Sequence, residues 1–64
     1  MFILLTRRNG TKQQRLINLD HVVAIMPNSD GQGIRVWFAG GEDDSFSEDF
    51  SFVVGMISAK GLVV

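Results

Sequence analysis

A chain of 64 residues makes one domain at most, close to the lower limit for folding alone, because it buries only about 60% of its unfolded surface. It has no cysteine, which excludes disulfides and thiolate metal sites, and its single histidine makes no metal site by itself. A net charge of −1 gives no global pull toward nucleic acid. Oligomerisation is the remaining aid to stability, in keeping with a hydrophobic content of 45%.

Residues 1–64 read as a single small domain that opens on an apolar strand, Phe2–Arg8. Asn9-Gly10 follows, the strongest short-range hairpin signal, because a type I′ turn needs positive φ at both central residues. A second strand runs from Thr11 to Ile17 and is broken at Asn18-Leu19-Asp20, where Asn and Asp side chains compete for backbone hydrogen bonds. The third strand is His21–Met26, ended by Pro27, which cannot donate to a ladder. Asn28–Gly33 is a loose hairpin loop. Strand four, Ile34–Phe38, puts Ile34, Val36 and Phe38 on one face and Arg35 and Trp37 on the other. A short fifth strand lies near Asp44–Ser47, with Phe46 inward.

The last element reads as a helix from Phe50 to about Ala59. Asp49 is its N-cap and Gly61 a C′ glycine. Phe50, Val53 or Val54, and Ile57 recur at helical spacing and face the sheet. A sixth strand is the alternative, since Phe50, Phe52 and Val54 also alternate. The expected fold is mainly β: a small five-stranded, curved antiparallel sheet or half-barrel with a C-terminal helix.

Charge is unevenly placed. Residues 1–15 hold four of the six basic side chains (Arg7, Arg8, Lys12, Arg15), and residues 42–49 hold five of the seven acids (Glu42, Asp43, Asp44, Glu48, Asp49). The split makes the basic edge and the segment Glu42, Asp43, Asp44 and Glu48 two candidate partner surfaces; solvated edges and turns are the plainer reading. Arg35 beside Trp37 has the composition of an interaction hot spot if its face is open. If that face is closed, Trp37 is a second side of the core.

Apolar residues exceed what one small core needs. Strand one is apolar on both faces, Phe2 and Leu4 against Ile3 and Leu5. The helix is apolar nearly all round, with Phe52 and Met56 off its main stripe. Phe52, Met56, Leu62 and Val63 are therefore the expected self-association residues, and a homo-oligomer, first of all a dimer, is the expected state. The apolar runs are far shorter than the roughly 20 residues of a membrane span. No secretory leader is legible, which with the lack of cysteine favours the cytoplasm.

The order Leu5-Thr6-Arg7-x-Asn9-Gly10, Leu16-Ile17-Asn18-x-Asp20-x-Val22, a strand ending at Pro27, Ile34-x-Val36-x-Phe38, and Phe46-x-Glu48-x-Phe50-x-x-Val53-x-x-x-Ile57 resembles the small flagellar FlbD/SwrD family over almost the whole chain. That resemblance implies a non-enzymatic accessory to flagellar motility. Leu5-Thr6-Arg7-Arg8-x-Gly10 also resembles the start of the carbon storage regulator family, CsrA/RsmE, and implies RNA contacts at Thr6, Arg7 and Arg8. Where that family carries a second basic segment this chain has Asp43–Asp49, which repels phosphate.

No catalytic constellation is present. His21 lacks a nucleophile and an orienting partner. Glu42, Asp43 and Asp44 offer oxygen ligands without the fixed spacing of a cation loop, and no glycine pair is followed by the Lys-Ser/Thr of a phosphate loop. No cofactor is expected. The function expected is a non-catalytic, self-associating protein-interaction module. The alternatives are a small RNA- or DNA-binding regulator using Arg7 and Arg8, and a phage-type inhibitor docking on a host protein through residues 42–49.

Overall fold

The computed structural model of the chain describes residues 1–8, 10 and 13–61. The architecture is mostly β, with five strands in two antiparallel sheets and one C-terminal helix. β1 (Phe2–Thr6) pairs with β2 (Gln14–Asn18), and β3 (Val22–Pro27), β4 (Ile34–Phe38) and β5 (Asp43–Phe46) form a second sheet in the order β3-β4-β5. α1 spans Phe50–Ala59.

The expected single five-stranded sheet is thus divided, and it does not close into a barrel. The two sheets meet at one corner, where Arg7 and Phe46 form an isolated bridge. Arg8 N donates to Ser45 O at 3.0 Å and Ser47 N donates to Thr6 O at 2.8 Å. Pairing stops there because β5 is only four residues long. Beyond it the Glu48 carboxylate, not a strand carbonyl, receives the Thr6 N–H, at 2.8 and 3.0 Å.

Local chemistry explains most boundaries. Gly10 has φ +64°, as the expected turn requires, while Asn9, Thr11 and Lys12 lie outside the described residues. The Asn18 side chain accepts from Asp20 N at 3.1 Å and caps a single 3-10 turn, Leu19–His21. Pro27 proves to be the last residue of β3, paired with Ile34, rather than the first beyond it. β3 pairs with β4 alone, and such an edge tolerates a proline. Asp49 caps α1, accepting from Ser51 N at 3.2 Å, and Gly61 follows the last turn with φ +76°.

Ile3, Leu5, Ile17, Ile34, Val36, Phe46 and Val53 form the buried core. They come from both sheets and the helix, so the helix lies over the inner faces. Phe50, Met56 and Ile57 pack against this core. Met56 therefore belongs to the inward stripe, three residues after buried Val53 on the same side of the helix.

Candidate functional site

The basic and acidic segments, remote in sequence, meet each other in the fold. Asp44 lies between two arginines, with Oδ2 3.1 Å from Arg7 Nε and 3.1 Å from Arg15 Nη1. Its side chain is only 11% exposed, against 42% and 43% for those arginines. Arg15 also stacks over the Phe38 ring at 5.2 Å, a cation–π contact that fixes its stem over the edge of the core. Arg7 Nε makes its ion pair without hydrogen-bond alignment.

Arg8, in a bend beyond the end of β1, takes a different partner. Its guanidinium forks onto Asp30, with Nη1 3.2 Å from Oδ1, and also reaches Gln32 O at 3.0 Å. The Arg8 hydrogen bond holds the Asp30 carboxyl below its ordinary value, with a second contribution from the Gln32 N–H. The same bond raises the Arg8 guanidinium further above neutrality. Arg35 pairs with Asp43 at 2.7 Å. Glu48 is held by the Thr6 N–H, and Glu42 is exposed.

Arg7, Arg8, Arg15 and Arg35 each have a carboxylate of this same chain. Each pairing partly neutralises the arginine it holds, which weakens the electrostatic attraction a nucleic-acid surface depends on. Asp43 and Asp44 are likewise engaged. Lys12, Leu62 and Val63 lie outside the described residues.

Trp37 is half-buried on the face opposite Ile34 and Val36, and its Nε1 is shielded with no hydrogen-bond partner among the described residues. Arg35, on the same face, is tied to Asp43, so the Arg35/Trp37 pair is only partly open. His21 is exposed at the end of the 3-10 turn. Phe52 is 61% exposed on the helix, whereas Met56 is packed inward.

Shallow concavities mark the surface of the described residues. One of about 370 Å³ lies between β2 and the β4–β5 turn and is bordered by Arg15, Asn18, His21, Phe38 and Glu42. A second, of about 280 Å³, runs along β3 and α1 and is lined by apolar side chains that include Val23, Ile25, Phe50 and Val54. A third, of about 360 Å³, holds Arg8, Asp30 and Arg35, all of them already paired.

Sequence reasoning missed the outer face of the β1–β2 ribbon as a site. Phe2 is 54%, Leu4 50% and Leu16 61% exposed, and Leu4 stands directly opposite Leu16 in the register. The signal was half-visible: β1 is apolar on both faces, but Leu16 beside buried Ile17 gives no hint by itself of which of the two points outward. No helix among the described residues is long and apolar enough to cross a membrane. Compared with protein-family models, curated proteins and solved structures, the chain matches none.

Proposed function

We propose that this protein is a non-catalytic, self-associating protein-interaction module. The observation that carries the reading is the contrast between its two kinds of surface. Arg7, Arg8, Arg15 and Arg35 are paired with carboxylates of the same chain, while Phe2, Leu4 and Leu16 are exposed together on one face of the β1–β2 ribbon. Contiguous exposed apolar surface marks interaction sites in small proteins. Motility accessory work of the FlbD/SwrD kind, in the cytoplasm, is the biological setting this reading adopts from the resemblance of its turn and core motifs.

Sedimentation at low and high salt, with absorbance followed at two ultraviolet wavelengths, tests it. The expected result is an assembly larger than one chain, free of nucleic acid and insensitive to salt. A monomer at every concentration overturns self-association. Co-sedimenting nucleic acid that salt strips away replaces the module with a nucleic-acid-binding regulator.

A further inference from the structure

We propose that the outer face of the β1–β2 ribbon is where a second copy of this chain docks, ribbon against ribbon about a twofold axis, with Leu4 and Leu16 at the centre. Self-association itself is taken from the reading above; the surface that performs it is new. Alternation along a strand sends neighbouring side chains to opposite faces. With Ile3, Leu5 and Ile17 buried inside, Phe2, Leu4 and Thr6 of β1 and Gln14, Leu16 and Asn18 of β2 share the outer face. The register sets Leu4 against Leu16, flanked by Phe2 with Asn18 and by Thr6 with Gln14.

Charge selects the occupant. In a twofold interface the same patch faces itself, so any charge near the axis meets its own kind. These six residues include no ionisable side chain. The nearby arginines are directed elsewhere, Arg7 and Arg15 to Asp44 and Arg8 to Asp30. The polar members, Thr6, Gln14 and Asn18, are uncharged, so none of them repels the residue it meets across the axis. An apolar centre with an uncharged polar rim matches the composition of interface cores, which are depleted of charge.

The other exposed apolar residues are less suited. Phe52 stands among exposed Asp49, Ser51 and Gly55, and single surface hydrophobics of that kind are ordinary. Val23 and Met26 belong to β3, an edge strand that carries a register shift and ends in proline, two devices that discourage edge pairing.

The test compares the wild type with a Leu4→Gln/Leu16→Gln double variant and with Phe52→Gln by sedimentation equilibrium. The expected outcome is a wild-type dimer, an association at least tenfold weaker in the double variant, and an unchanged dimer in Phe52→Gln. A dimer that survives the double substitution overturns this surface while leaving self-association standing. A wild type that is monomeric throughout overturns self-association itself. Should the double variant unfold, Leu16→Cys supplies a second readout in this cysteine-free chain. Its alkylation must slow as protein concentration rises, and a rate independent of concentration overturns the proposal.

Discussion

Asp44 is the residue on which the two charged segments converge. An exposed ion pair contributes about 0–1 kcal/mol and breaking a buried one costs about 3–5 kcal/mol. With a shielded carboxylate and half-exposed arginines, this cluster lies between those limits. Asp44→Asn keeps the shape and removes the charge, so it is expected to destabilise by about 1–2 kcal/mol. Thermal unfolding would then shift downward by roughly 5–15 °C. An unchanged melting temperature would mean that Arg7 and Arg15 are satisfied equally well by water. Asp30 gives a pH-dependent counterpart. Its folded-state carboxyl is held below the ordinary value of 3.8 by Arg8, so its contribution is complete above that value and is lost as pH falls through the lower, folded one. Acid-induced loss of stability below about pH 4 should therefore be smaller in Asp30→Asn, as followed by denaturant unfolding across the acid range. Equal acid sensitivity in both proteins would remove Asp30 as a contributor.

The β3–β4 hairpin shows how one element depends on a neighbour. Its loop is closed by Asn28 N donating to Gly33 O at 3.1 Å and Gly31 N donating to Asn28 O at 2.9 Å. The Asn28 amide also donates to Gln32 O at 2.9 Å. Gly31 and Gly33 both have positive φ, +78° and +73°. They differ in surroundings: a Cβ at Gly31 meets open space, whereas one at Gly33 drives into the Phe46 carbonyl oxygen of β5. Gly31→Ala should cost about 1 kcal/mol, the left-handed penalty alone. Gly33→Ala must also move backbone that holds buried Phe46, and about 3 kcal/mol or more is expected. Denaturant midpoints of the two variants check this; equal losses would show that β5 yields freely. The same paired turn explains why the loose loop read from Asn28–Gly33 is in fact well bonded.

For the whole molecule the decisive quantity is the small core. Among the described residues, seven buried side chains from two sheets and a helix leave little margin against chain entropy. The sheets touch at one corner and the helix covers their inner faces, so both sheets keep an outer face in water. In β1 and β2 that outer face exposes Phe2, Leu4 and Leu16. Self-association through it would add burial that the single chain lacks, without requiring any rearrangement of the internally matched charges. Nucleic-acid binding at the basic edge would bring phosphate beside the Asp44 and Asp30 carboxylates that already sit on its arginines. This difference is why the interaction-module reading is preferred at the scale of the whole chain.

The amino-acid sequence by itself determined the elements. The positive-φ glycine at position 10, the turn that Asn18 caps, the alternation through β4, the Asp49 cap and the helical spacing of Phe50, Val53 and Ile57 are local signals, and each depends on residues within a few positions of one another. Only the tertiary structure decided how those elements share their side chains. Arg7 and Arg15 find Asp44 across 37 and 29 positions of chain, and Thr6 finds Glu48 across 42. Local periodicity carries no information about such distant pairs. It likewise states that β1 has two apolar faces but not which one is covered. Burial depends on what the rest of the chain brings against each face. Here Phe46, Val36 and Val53 meet Ile3 and Leu5, and Leu4 and Leu16 are left to water.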